Sequence, residues 1–292
     1  MTIAASVVIP SRNRPDFLLA AVDSVLAGTV LPAEIVVVDQ SEAPHAALAG
    51  MGVVDGCAIR YLQIPPHGVS RARNAGLAAS TQPIVVFTDD DVLVDKAWLG
   101  ALAGAVDGPD SRAVATGRVL ATESEVPGAF APALVGSEEP AVYQGRLRRD
   151  VLEAGNMAVA RRVMQELGGF DERLGPGTAL PAGEDNDMGL RLLAAGCRIH
   201  YVPDAVIYHR AWRGPRDYLP LRWNYGIGQG AYYGKHLSLR DRYMLGRLGR
   251  LVRHHLWLSL RRAPREPKPA LGHLVYVAGV VTGVVRWRRQ AK

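Results

Sequence analysis

Cysteine is nearly absent from this chain. Cys57 and Cys197 are the only two in 292 residues, and they lie far apart. That excludes a disulfide framework and any cysteine pair at metal-ligand spacing, and it suits two buried thiols in a reducing compartment. No basic segment followed by an apolar one opens the chain, which enters a strand almost at once (residues 3–10), so no secretion signal is expected. No internal repeat and no low-complexity segment is visible. The apolar run at 271–285, interrupted by His273, is shorter than the roughly 20 residues a spanning helix needs. No Gly-x-Gly-x-x-Gly follows a strand. The glycines of Gly226-Ile-Gly-Gln-Gly230 have the wrong spacing and context, which sets aside a dinucleotide-binding oxidoreductase. Acidic residues are also scarce at the C-terminal end, where residues 210–292 hold 18 Lys and Arg against 3 Asp and Glu.

What is present is enough for a large core. Hydrophobic residues make up 48% and charged residues 21%, so wholesale disorder is excluded. The net charge of +6 hides a division: residues 1–209 carry 16 basic and 25 acidic side chains, ahead of the basic tail. Such a tail suits an anionic membrane surface or nucleic acid. It contains no nucleic-acid-binding motif, and its apolar 271–285 run, flanked by Lys268, Arg286, Arg288 and Arg289, points to lipid instead. A helix lying in the membrane interface and a core helix packed on the domain both satisfy that run.

The chain alternates strand and helix: strands at 3–10, 34–38, 58–64 and 83–87, with helices at 15–27 and 68–79. The pattern predicts an α/β fold with a mostly parallel, Rossmann-like sheet and flanking helices. Strands at 113–121 and 154–160 follow, separated by a long loop at 122–150. A helix at 161–167, a Gly- and Pro-rich loop, a helix at 184–195, and short strands at 198–202 and 205–208 complete this part. Residues 215–263 read as mainly helical and 264–269 as a linker. The division expected is one domain over residues 1–212 and a basic helical region over 213–292.

The chemistry gathers at strand ends. Ile84–Phe87 is a short run suited to burial on both faces, and it ends in Thr88-Asp89-Asp90-Asp91. Three adjacent carboxylates at the C-terminal end of a parallel strand sit where open α/β sheets bind ligands. Their oxygens suit a hard cation, Mg2+ or Mn2+, bridging phosphates. A solvated acidic turn before a helix is the plainer alternative. Asp39 closes the second strand. Arg71 and Asn74 are three apart at a helix start and share a face. Glu184 and Asp185 open a helix, where capping explains them in part; a carboxylate there also suits a general base. His209 ends the last strand.

These pieces, in this order, resemble glycosyltransferase family 2, with its GT-A fold. The matching stretches are Val7-Val8-Ile9-Pro10-Ser11-Arg12-Asn13-Arg14, Val36-Val37-Val38-Asp39-Gln40-Ser41, Ser70-Arg71-Ala72-Arg73-Asn74-Ala75-Gly76 and Thr88-Asp89-Asp90-Asp91. They continue with Gly155-Asn156-Met157-Ala158, Gly168-Gly169-Phe170-Asp171 and Gly183-Glu184-Asp185, together spanning about residues 3–209. The resemblance implies inverting, divalent-metal-dependent transfer from a nucleotide-sugar. It implies donor contacts from Pro10, Arg12, Asp39, Arg71, Asn74, Asp89 and Asp90, and metal contacts from Asp91 and His209. Asp185, beside Glu184, would be the base, with Asp187 the alternative. Asn156, Met157 and Trp212 would lie on the acceptor side. Processive members carry Gln-x-x-Arg-Trp; here Leu219 precedes Arg222-Trp223, and no long spanning helix is expected, so a single addition is favoured. The enzyme expected is a cytoplasmic one, peripheral at the inner face of the cell membrane, acting on a lipid-linked or cell-envelope glycan acceptor, without nucleic acid and with homo-oligomerisation open.

Overall fold

A computed structural model describes residues 1–290 apart from 107, 109–110, 124–126, 211 and 239–240. Arg240 and Lys292 of the basic tail, and 124–126 of the predicted long loop, lie outside the described residues. The first part runs β1 (Thr2–Ser11), α1 (Pro15–Leu26), β2 (Leu31–Asp39), α2 (Ala46–Ala49), β3 (Val53–Val54), β4 (Cys57–Gln63), α3 (Val69–Ala79) and β5 (Ile84–Thr88). Next come β6 (Val92–Val94), α4 (Trp98–Ala105), β7 (Ala113–Ala121), β8 (Ala141–Tyr143), β9 (Asn156–Ala160), α5 (Arg161–Glu166), α6 (Glu184–Ala194) and β10 (Arg198–His209). Three long helices end the chain: α7 (Tyr218–His236), α8 (Arg242–Arg262) and α9 (Pro267–Gln290).

The sheet order is β3-β4-β2-β1-β5-β9-β7-β10-β6, with β8 on β10. The period-2 alternation of strand side chains divides its core between two faces. Val7, Ile9, Ile35 and Val37 join α1 and α4 residues such as Val22, Trp98 and Leu102 on one face. Val8, Val36, Val38, Val85 and Phe87 meet Leu77, Met164, Met188 and Leu192 on the other. Covered on both sides, these strands read as unbroken apolar runs in the sequence.

The expected parallel order holds for β4, β2, β1 and β5. Beyond β5 the sheet is mixed: β9 runs antiparallel to both β5 and β7, while β7 and β10 are parallel. A parallel partner needs a crossover connection of a dozen or more residues, usually a helix. β9 is reached instead through the irregular 144–155 segment, which contains no helix, and it runs in the opposite sense. The two strands expected at 198–202 and 205–208 are one, β10, with a register irregularity between Val202 and Val206.

The C-terminal region departs further from expectation. The helix containing 271–285 is not limited to that run, and no linker as long as 264–269 precedes it. α9 spans 24 residues from Pro267 and is long and apolar enough to cross a membrane, by length and composition. In this structure it packs along α7 and α8, burying His273, Tyr276, Gly279, Val280, Gly283 and Trp287 on one face. The approach to α7 is close. A side-chain carbon at Gly226 would strike the Tyr276 carbonyl, and one at Gly230 the Val280 carbonyl. Gly226 and Gly230, whose spacing sets aside a dinucleotide-binding loop, thus serve a helix–helix contact.

Candidate active site

A cleft of about 740 Å3 opens where β1, β5 and α6 end or begin, roofed by α7 to α9. Strand order reverses between β1 and β5, and ligands of open α/β sheets bind at such crevices. Asp89, Asp90 and Asp91 leave the end of β5 into this cleft, beside Pro10, Ser11, Arg12 and Arg14 from the end of β1.

The three aspartates have different surroundings. Ser11 donates its hydroxyl to Asp90 at 2.7 Å, and Arg14 donates Nη1 to Asp90 at 3.1 Å and to Asp91 at 2.8 Å. Burial outweighs these partners at Asp90 and raises its pKa to about 6. Asp89 turns the other way, to Arg73 Nη2 at 2.7 Å. Gly155 lies against its carboxylate, leaving no room for a side chain there. His209 brings Nε2 to 3.7 Å from Asp91 Oδ1, with its Nδ1 buried and unpartnered.

This donor set fits Mg2+ or Mn2+. It is dominated by carboxylate oxygen, which hard cations prefer. Among the described residues no group of three or more His, Cys, Asp or Glu could hold a metal alone. Asp91 with His209 would therefore share the ion with substrate phosphate and water, as Mg2+ sites in phosphate chemistry do.

The second acidic group stands at the start of α6. Glu184 and Asp185 line the cleft with Glu153, which precedes β9. Arg73, only 2% exposed, links the two groups: it reaches Asp89, Asp185 at 3.4 Å and Glu184 at 3.8 Å. Burial pushes the pKa of Glu184, Asp185 and Glu153 upward, and mutual repulsion adds to this at Glu184 and Glu153, while Arg73 opposes it. The Arg73 guanidinium, surrounded by carboxylates, is held firmly protonated against its own burial.

The structure sorts the predicted residues. Pro10, Arg12, Asp89, Asp90, Asp91, Glu184, Asp185 and His209 line one cleft. Asp39 does not; it closes β2 with its carboxylate held by Ser41 and Tyr61, and the neighbouring Gln40 faces the cleft instead. Arg71 points to solvent on α3, where the helical turn puts Arg73 inward. Asn74 is occupied with Phe170 and Glu172. Asn156 and Met157 are fully buried and so cannot touch an acceptor. Asn156 instead ties three elements together, accepting from Trp98 Nε1 and donating to the Arg118 and Ala205 carbonyls. Trp212 lies outside the cleft lining and donates to Thr122 at 3.3 Å. Asp187, the alternative base, is fully buried among Arg191, Lys235 and His236, which hold its pKa low despite that burial.

Sequence reasoning missed Arg73 as the linking cation, Arg14 and Glu153. Arg14 and Arg73 stand in motifs that were legible, but only the fold selects them from their arginine neighbours. Glu153 carries no sequence signal beyond its closeness to Gly155-Asn156.

The comparisons agree with this geometry. The model of the family described as "Glycosyl transferase family 2" matches residues 6–161, and that of "Glycosyl transferase family group 2" matches residues 140–287. A pre-mycofactocin glycosyltransferase of Mycobacterium tuberculosis is 34% identical over 227 residues, covering 76% of this chain and 46% of the relative. The O-antigen biosynthesis protein RfbC of Myxococcus xanthus is 26% identical over 270 residues, covering 82% of this chain and 20% of that protein. The chain thus spans less than half the length of these curated relatives. Among solved structures, TarS of S. aureus aligns with a TM-score of 0.56 at 16% identity, over 99% of this chain and 92% of that one. The mannosyltransferase PcManGT of Pyrobaculum calidifontis, solved with GDP-Man and Mn2+, aligns at 0.59 and 15% identity, over 99% and 88%. Those likenesses concern the fold, which is of the GT-A type. With more than half of its residues matched by the first family model and its carboxylates gathered in one cleft, the chain belongs to glycosyl transferase family 2.

Proposed function

We propose that the chain transfers a single sugar, with inversion, from a nucleotide-sugar to a hydroxyl of a lipid-linked or cell-envelope glycan. The observation that carries this reading is the shared cleft: Asp91 and His209 lie at its strand-end side, Asp185 opens α6 across it, and Arg73 links Asp89 to Asp185. A divalent cation held by Asp91 and His209 would offset charge on the diphosphate leaving group. Ser11 and Arg14 orient the aspartates, and Arg12, which has no carboxylate partner among the described residues, offers its cation to the donor phosphates. Asp185 takes the proton of the acceptor hydroxyl as that oxygen bonds to the anomeric carbon. The bond from this carbon to the diphosphate oxygen breaks on the opposite side, and the electron pair leaves with the nucleotide. Burial raises the basicity of Asp185 while Arg73 keeps it ionised, the balance a base near neutral pH requires.

The acceptor and the setting belong to the same proposal. The M. tuberculosis and M. xanthus relatives bear names from mycofactocin glycosylation and O-antigen biosynthesis. The basic C-terminal helices favour attachment to an anionic membrane surface, at the cytoplasmic face where nucleotide-sugars are made.

The test is a thermal-shift panel of UDP, GDP, dTDP and CMP, with and without Mn2+. A ligand that binds the folded state alone raises its apparent stability. One nucleotide is expected to give a metal-dependent shift that Asp91→Ala abolishes. Asp185→Asn is expected to retain that shift and to lose transfer by about 10²–10⁴-fold. No shift with any nucleotide would count against the reading.

A further inference from the structure

One carboxyl group in the cleft has no part in the chemistry above. Glu153 is part-buried and lines the cleft just ahead of Gly155 and β9. Its backbone is fixed: the N–H donates to Thr116 Oγ1 at 3.4 Å, and the carbonyl accepts from the Asn156 N–H at 3.0 Å. Its carboxyl is not. Among the described residues, no hydrogen bond or ion pair reaches that group.

Its surroundings are acidic. Asp185 and Glu184, from the start of α6, and Asp89, after β5, all repel its charge, and Arg73 from α3 opposes them. The N–H of Ala154, the next residue, favours the charged form of Asp185, which places the base beside this segment. Tyr225 of α7 feels Glu153, Glu184 and Asp185 together, along with Arg213. Arg73 makes ion pairs with Asp89, Glu184 and Asp185 but none with Glu153. One guanidinium does not balance four carboxylates, and among the described residues no such group could hold a metal alone. Protons relieve the excess charge, and the carboxyl without an ion pair is the one that keeps its proton. Burial and its three acidic neighbours raise the Glu153 pKa well above the ordinary glutamate value.

A protonated carboxyl both donates and accepts, as a sugar hydroxyl does. In the open cleft water meets that need, and a substrate that displaces the water must replace its bonds. The position of Glu153 selects which part of the substrate does so. In the transfer described above, the diphosphate lies at Asp91 and His209 and the attacking oxygen at Asp185. The donor sugar spans the distance between them. Glu153, acted on by both Asp185 and Asp89, flanks that span.

Resting on the transferase reading above, we propose that Glu153 is a specificity-determining residue whose carboxyl group hydrogen-bonds a hydroxyl of the donor sugar. Because the group acts without charge, glutamine can replace it and alanine cannot. Titration calorimetry on the full chain with Mn2+ tests this. The nucleoside diphosphate that stabilises the protein is compared with its glucosyl, galactosyl, mannosyl and N-acetylglucosaminyl esters. The ester that binds most tightly is the probe, with analogues in which one ring hydroxyl at a time is replaced by fluorine, which cannot donate. E153A is expected to weaken the probe about ten-fold and to leave the nucleoside diphosphate unchanged, while E153Q stays within about two-fold of the wild type. One fluorinated analogue is expected to lose about ten-fold in the wild type and nothing further in E153A, because hydroxyl and carboxyl are partners in one bond. Unchanged probe affinity in E153A, or losses at hydroxyl and carboxyl that add in full at every position, overturns the contact. E153Q as weak as E153A overturns the uncharged form. If E153A no longer binds the nucleoside diphosphate, E153M, which fills the same space, decides by the same criteria. A wild type that no nucleotide stabilises overturns the transferase reading instead, and is seen before any sugar ester is added.

Discussion

Asn156 separates what a residue does from where a motif places it. Its three hydrogen bonds join α4, β7 and β10 in a site with no access to solvent. Removing the amide orphans the Trp98 N–H and two carbonyls, each costing about 1–3 kcal/mol. Asn156→Ala is expected to lower stability by several kcal/mol in denaturant unfolding, while the folded fraction keeps its acceptor KM. A changed KM at unchanged stability would return Asn156 to the acceptor side. Arg73 makes a different prediction. The acid cluster of Glu153, Glu184 and Asp185 has raised pKa values, so protonation of the base limits activity on the acid side. Arg73 lowers those values by favouring the ionised forms. Arg73→Met is therefore expected to move the acid limb of the kcat profile to higher pH, with activity lost as pH falls through it. The stability sign is the reverse of a salt-bridged carboxylate. Carboxyls raised in the folded state hold protons more tightly there, so their contribution is present at acid pH and declines as pH rises toward their folded values. A limb that stays in place would show that Arg73 does not govern the base.

At the scale of elements, the contact of α7 with α9 forms the roof of the cleft. Glycines at 226, 230, 279 and 283 let the two backbones touch, and Trp287 and Tyr276 fill the flanks. Burying such a side chain contributes about 1.5–3 kcal/mol. Gly230→Leu must separate the helices, because its side chain would meet the Val280 backbone, which cannot rotate away. Overpacking of this kind costs about 1–3 kcal/mol; the expected result is a lower melting temperature. Gly249→Ala is the matched comparison. It lies within α8 with nothing within 4 Å of the added carbon, so it is expected to stabilise by roughly 0.5–1 kcal/mol through backbone entropy alone. Equal effects at the two positions would mean that the close approach does not constrain the roof.

For the whole molecule, charge and apolar surface coincide at one end. The α8–α9 turn carries Arg261, Arg262, Arg265 and Lys268, and beside it Trp257, Leu260, Leu271 and Leu274 are exposed, Leu260 by 78%. This pairing of basic and apolar side chains favours the surface of an anionic bilayer. Co-sedimentation with phosphatidylglycerol vesicles is expected, weakened by salt and by Trp257→Ser with Leu260→Ser. Binding unaffected by both substitutions would remove this end of the molecule as the membrane contact.

The parallel half of the sheet and the strand-end aspartates are legible in the sequence. Buried strands are continuous β-branched runs, and carboxylates that stop such a run at its C-terminal end lie where open α/β sheets bind ligands. It also placed Asp185 at a helix start and His209 at a strand end, both local facts. What it left open depends on distance in space. Arg71 and Arg73 are equivalent as letters, and only the docking of α3 on the sheet turns Arg73 inward to Asp89 and Asp185. Asp187 was separable from Asp185 only once α7 brought Lys235 and His236 to it. Glu153, Arg222 and His255 belong to segments far apart in the chain, and long-range packing alone makes them neighbours. The glycines at 226–230 show the same limit: their spacing sets aside a dinucleotide-binding loop, but that α9 is what packs against them follows from long-range packing alone.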